Sequence, residues 1–138
     1  MNVLAESMRG AAARFGARSA LVADDGTVTT YAELDRWSDE VAAWLVAEHR
    51  IAEEAVVGLV MPSGPEYVVA YLALAKLGAV TAGVSPRLAG PERANVLERL
   101  AADVVLEARG GASAHPFPRE SKGSADRALA EVVIHSPT

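Results

Sequence analysis

The sequence predicts an α/β fold, a parallel-rich sheet with flanking helices, and three observations carry that prediction. Residues 56–88, VVGLVMPSGPEYVVAYLALAKLGAVTAGVSPRL, read as strand, tight turn, apolar helix and strand in close succession, a βαβ unit with parallel strands and a right-handed crossover. Helix then strand recurs over residues 90–107, and a long amphipathic helix with its own start signal precedes the unit.

At the N-terminus, Leu4, Met8, Ala11, Ala12 and Phe15 recur at spacings of three and four, one stripe of an amphipathic helix that Gly16 can terminate. Ser19 to Ala23 and Val28 to Thr30 then flank Asp24-Asp25-Gly26-Thr27, where the Asp-Gly pair signals a two-residue hairpin loop. The paired aspartates also match the acidic pair of a phospho-acceptor receiver domain, but there a helix should follow, and turn chemistry explains them better.

Thr30-Tyr31-Ala32-Glu33 fits the capping box and opens a helix to about Glu48. Leu34, Trp37, Val41, Trp44 and Leu45 form its core-facing stripe, leaving Asp35, Arg36, Asp39, Glu40 and Glu48 in water. In the central unit, Val56 to Met61 is an apolar run suited to a strand covered on both faces, stopped at Pro62. Ser63-Gly64-Pro65-Glu66 offers a second capping box with Pro in the first turn.

From Tyr67 to Ala75 every residue is apolar, so this helix has no wet face until Lys76, and Gly78 supplies a left-handed stop. Nine apolar residues fall far short of the roughly 20 that cross a bilayer, so the helix belongs to a core. Ala79 to Val84 is the second strand, Ser85 to Leu88 a turn, and Gly90-Pro91-Glu92 a helix start with Val96, Leu97, Leu100 and Ala101 inward. Asp103 to Glu107 is a further parallel strand.

Residues 108–126 turn to glycine, serine, proline and mixed charge, an exposed connection. Residues 127–138 hold a short strand, Glu131 to His135, on which the chain stops, leaving an unpaired edge, so the sequence looks truncated. A net charge of −5 without a Lys/Arg block argues against nucleic acid or an anionic membrane as partner. The absence of cysteine excludes disulfides, thiolate metal sites and thiol nucleophiles, and the N-terminus is unlike a secretory signal, which points to the cytoplasm.

Catalytic constellations are sparse. His49, His115 and His135 are too scattered for a metal motif. Gly78 and Gly83 with Ser85 have the outer spacing of a phosphate loop, but Val84 stands where the lysine must be. Ser63 lacks the frame of a nucleophile elbow, since Met61 occupies the glycine position.

Thr30-Tyr31-Ala32-Glu33-Leu34 with its helix, followed by Leu72 to Leu77 leading into Gly78-Ala79-Val80, resembles the start of the adenylate-forming enzymes, the AMP-binding superfamily of acyl- and aryl-CoA synthetases, luciferases and peptide-synthetase adenylation domains. The likeness covers residues 1 to about 107, read as the N-terminal α/β subdomain of that fold. Pro86-Arg87-Leu88 is more similar to the acyl-CoA ligase branch than to the peptide synthetases. Gly83 and Ser85 depart from the proline and asparagine common in relatives.

The resemblance implies an enzyme that uses ATP to convert a carboxylic acid to an acyl-adenylate, then passes the acyl group to a thiol such as coenzyme A. ATP, magnesium and coenzyme A are thus implied for the full-length enzyme, and none is expected to bind to this chain alone. In relatives the phosphates are cradled by a Thr-Ser-Gly-Thr-Thr-Gly-x-Pro-Lys type loop, and EVVIHSPT is similar to the strand leading into it, so Thr138 corresponds to the loop's first residue. Arg87 is the candidate contact for a coenzyme A phosphate. No catalytic residue and no metal ligand is assigned, and a downstream domain is the expected structural partner. The alternatives are a stand-alone, non-catalytic α/β binding or complementation module and a small nucleotide-binding domain of receiver or flavodoxin type.

Overall fold

The structure, a computed structural model, describes residues 3–109 and 131–135. The elements follow the order α1 (Val3–Phe15), β1 (Ser19–Val22), β2 (Val28–Thr30), α2 (Tyr31–His49), β3 (Val56–Val60), α3 (Pro65–Lys76), β4 (Val80–Gly83), α4 (Gly90–Arg99), β5 (Val104–Arg109) and β6 (Glu131–His135). Most of the predicted connection at 108–126, together with His115 and Thr138, lies outside the described residues.

The hairpin β1–β2 forms antiparallel as predicted, but its loop is one residue longer than the Asp-Gly signal suggested. Ala23 pairs with Thr27 (2.9 Å), the Gly26 N–H closes a turn onto the Ala23 carbonyl (2.9 Å), and Gly26 takes φ 86°. That is a three-residue loop whose left-handed position only glycine fills without strain. Asp25 accepts the Thr27 N–H at 2.9 Å, so it serves the turn.

Thr30 caps α2 with both halves of the capping box present, the Glu33 N–H to Thr30 Oγ1 at 3.2 Å and the Thr30 N–H to Glu33 Oε1 at 3.1 Å. The predicted box at Ser63 does not form: Gly64 is the N-cap and α3 begins at Pro65. A residue that precedes proline is pushed out of the helical region, so Gly64 stays extended and Ser63 is left one position too early to cap. The left-handed stop at Gly78 forms, with φ 73°.

The main sheet has the order β4-β3-β5-β6. β3 is central and parallel to β4 (Val56 beside Val80) and to β5 (Val57 beside Val104). β6 joins β5 antiparallel, Leu106 beside Ile134, and stands at the edge of the sheet.

Alternation along β3 divides the core. Val57 and Leu59 face a cluster with Trp37, Val41, Leu45, Val69 and Leu74 from α2 and α3, while Val60 faces a smaller one with Val84, Leu97, Ala102 and Val105 beneath α4. Each fully buried leucine contributes about 1.5–3 kcal/mol. α3 and α4 thus cover opposite faces, the doubly wound arrangement.

Some predicted faces shift. On α1, Met8 is buried, with Ala5 rather than Leu4 or Phe15 as its companion. On α4, Leu97 is buried, but Leu100 is exposed and Ala101 takes a left-handed φ of 51°, while the next residue, Ala102, turns inward.

Candidate functional site

Because β3 and β4 run parallel, their C-terminal ends open on the same side, and because their following helices leave to opposite faces, a crevice remains between the two exits. A cleft of about 560 Å³ occupies it. One wall is the β3–α3 connection with Met61, Pro62, Ser63 and Tyr67, and the other is Gly83 to Arg87. Among the described residues no acidic side chain lines it.

The second wall is a braced turn. The Ser85 side-chain oxygen accepts the Arg87 N–H at 3.2 Å, and the Leu88 N–H reaches the Ser85 carbonyl at 3.3 Å. Arg93 of α4 grips the turn from behind: its Nη2 donates to the carbonyls of Pro86 (2.9 Å) and Leu88 (3.3 Å), and its Nη1 to Glu107 Oε1 of β5 (2.8 Å). The Arg93 Nε is buried with no hydrogen-bond partner among the described residues.

With its backbone fixed on both sides, Arg87 is exposed and lines the cleft. A guanidinium beside serine and tyrosine hydroxyls, with no carboxylate among the described lining residues, is suited to a phosphate or other anion. Ser63, free of any capping duty, also lines this cleft. Gly83 leaves room for Tyr67: a Cβ there would stand 2.5 Å from the Tyr67 hydroxyl.

Of the remaining sequence candidates, Gly78 precedes β4 and Gly83 is its last residue, so the two form no single loop. His49 stacks edge-on against Trp44 with centroids 4.7 Å apart. His135 is part of β6, and among the described residues no group of His, Asp or Glu could hold a metal ion. Thr138 lies outside the described residues, so the structure brings together only the Arg87 half of the predicted site. The sequence reading missed Arg93 and Tyr67. The signal for Arg93 was a cation near the start of α4, where the helix dipole disfavours one and a structural reason is called for.

A second charged cluster ties helices together. The sequence placed Lys76 and Asp35 in water. Instead the Lys76 side chain is 5% exposed and its Nζ reaches Asp35 Oδ1 (2.7 Å), the Asp35 carbonyl (2.9 Å), Ser38 Oγ (2.8 Å) and Asp39 Oδ1 (2.8 Å). Arg9 of α1 closes the group on Asp35 Oδ2 (3.1 Å) and Asp39 Oδ2 (2.9 Å). Desolvation pushes the Asp39 carboxyl up, but hydrogen bonds from Arg9 and Lys76 and their charges outweigh it and hold the group below its ordinary value. The hydrogen bond to Asp39, then the charges of Asp35 and Asp39, raise Arg9 in turn. None of these residues lines the cleft, and their role is to fix α1, α2 and α3.

The sequence profile described as "AMP-binding enzyme" matches residues 8–137. The chain belongs to the AMP-binding enzyme family. Among solved structures it is similar to the N-terminal subdomain of Klebsiella oxytoca NpsA, with TM-score 0.72 and 25% identity over 78% of this chain and 28% of that one. It is also similar to the inhibitor-bound N-terminal domain of Mycobacterium tuberculosis FACL13, with TM-score 0.70 and 30% identity over 76% of this chain and 26% of that one.

Among curated proteins it is 41% identical over 59 residues to the nonribosomal peptide synthetase kk1B of Curvularia clavata, which is 43% of this chain and 0% of that protein in whole per cent. The fold is therefore that of the N-terminal part of an adenylate-forming enzyme, and the chain spans about a quarter of the two solved chains. Among the described residues no helix of this family member is long and apolar enough to cross a membrane.

Proposed function

We propose that this chain forms the leading segment of an ATP-dependent carboxylate-activating ligase, and that its cleft receives the phosphate-bearing end of coenzyme A as the acyl acceptor. The observation that supports this most directly is the exposed Arg87 on a turn braced by Arg93, in a cleft whose described lining holds no acidic side chain. Arg87 and the Ser85 hydroxyl would hold the phosphate, while ATP, magnesium and the carboxylic acid are assigned to no described residue. When bound, coenzyme A supplies the thiol that takes the acyl group. On this reading the 138 residues do not catalyse adenylation alone.

The proposal departs from the sequence expectation that coenzyme A does not bind to this chain alone, and isothermal titration of the chain with coenzyme A tests it. Binding that Arg87→Ala weakens about tenfold is expected for loss of a charge-assisted contact. Equal affinity in the variant removes Arg87 from the site, and ATP–pyrophosphate exchange by the chain alone overturns the claim that it needs more chain.

The likeness to kk1B, and 43% identity over 58 residues to the cyclosporin synthetase of Tolypocladium inflatum, favours a second reading in which the acceptor is a carrier-protein thiol. Binding of a phosphopantetheine-bearing carrier protein together with no heat from coenzyme A selects that reading.

A further inference from the structure

Tyr67 and Gly83 meet in the lining of the cleft in a way that packing alone does not require. The Tyr67 hydroxyl lies 2.5 Å, and its ring Cζ 3.8 Å, from the position a Cβ on residue 83 would take. An alanine at 83 would displace the hydroxyl, since real Cβ contacts below 3.0 Å are essentially never seen, yet it would leave room for the ring. Gly83 is exposed, at the end of β4, where glycine weakens a strand and marks the close approach of another group. Both residues line the cleft.

The hydroxyl so admitted has no hydrogen-bond partner among the described residues, although a phenylalanine would pack the same ring against β4. A hydroxyl without a partner among the described residues, held against Gly83 in the lining of a cleft that Arg87 also lines, is placed for recognition. Met61, Pro62, Val84 and Pro86 supply apolar surface beside it, which suits a ligand with both a flat or aliphatic part and an anionic part.

We propose that Tyr67 is a ligand-binding residue of this cleft: its hydroxyl, admitted by the missing side chain at Gly83, donates a hydrogen bond to the phosphate-bearing ligand that Arg87 also holds. This rests on the reading of the cleft as the coenzyme A site. It adds that residues 67 and 83 act as one unit in setting affinity.

A double-mutant cycle on the 138-residue chain, titrated with coenzyme A, tests it. Tyr67→Phe weakens binding about five- to tenfold, the loss of one ligand hydrogen bond. Gly83→Ala weakens it to a similar degree by displacing the hydroxyl. The double variant binds no worse than Tyr67→Phe, because without the hydroxyl the methyl group has nothing to displace. Far-UV circular dichroism and urea midpoints confirm that each variant is folded, and Tyr67→Phe alone carries the test if Gly83→Ala is not.

Wild-type affinity in Tyr67→Phe, with Arg87→Ala still weakened, overturns the role of Tyr67 and leaves the coenzyme A reading standing. Strictly additive losses in the double variant overturn the coupling. Failure of the wild-type chain to bind coenzyme A overturns both readings.

Discussion

Lys76→Met keeps the aliphatic stem and removes the ammonium, which leaves Asp35 buried with Arg9 as its remaining ion-pair partner. Breaking a buried pair from one side costs about 3–5 kcal/mol, so urea unfolding should show a loss of that size, while Arg9→Met, half exposed, should cost no more than about 1 kcal/mol. Equal losses would contradict the division of labour between the two cations. Asp39 adds a pH dependence. Its folded pKa lies below the ordinary 3.8, so the stability it contributes is fully present above that value and is lost as pH falls through the lower, folded one. Asp39→Asn should therefore unfold with a shallower acid limb than the wild type. Identical limbs between roughly pH 5 and pH 2 would mean that the carboxylate is not held by Arg9 and Lys76.

At the scale of elements, two stretches carry the same capping-box pattern and only one uses it, which gives a paired prediction. Thr30→Ala should destabilise the chain by about 1 kcal/mol by freeing the Glu33 N–H, whereas Ser63→Ala should leave the unfolding midpoint unchanged, because Gly64 is the N-cap of α3. Comparable losses in the two variants would place the start of α3 at Ser63 after all. The contrast also shows how far the sequence was legible. Periodicity and turn chemistry located every element from α1 to β5 and the parallel βαβ unit, since those signals act over a few residues. What they could not reach were choices made between elements. Asp35 and Lys76 look like water-facing ions on their own helices and become buried only because α2 and α3 offer each other the opposite charge. The antiparallel seat of β6 depends on β5. In the cleft, Arg87 was legible as an exposed arginine after a turn. Tyr67 read as one more apolar position of α3, and its relation to Gly83 appears only when β4 lies against it.

For the whole molecule, the sheet separates two layers of unequal thickness, and the cleft depends on the thinner one. The face toward α2 and α3 carries the larger cluster and the Lys76 network, while α4 is held by Leu97, Ala102, Val84 and the Arg93 clamp. Local opening follows the least buried contact area, so α4 and the 85–88 turn should exchange amide hydrogens faster than β3 and α3, whose slowest amides are expected at Val57 to Val60. Leu97→Ala removes the main apolar anchor of α4 at a cost of about 2–4 kcal/mol. If α4 opens as its own unit, the variant accelerates exchange in α4 and the 85–88 turn ahead of α3, and it weakens the proposed coenzyme A binding without replacing any residue that lines the cleft. The Arg93 clamp gives the mechanism: once α4 moves, the carbonyls of Pro86 and Leu88 lose their donor and Arg87 is no longer preorganised. Uniform acceleration across α3 and α4 would instead show that both layers open together, and the turn's geometry would then depend on the global stability of the fold.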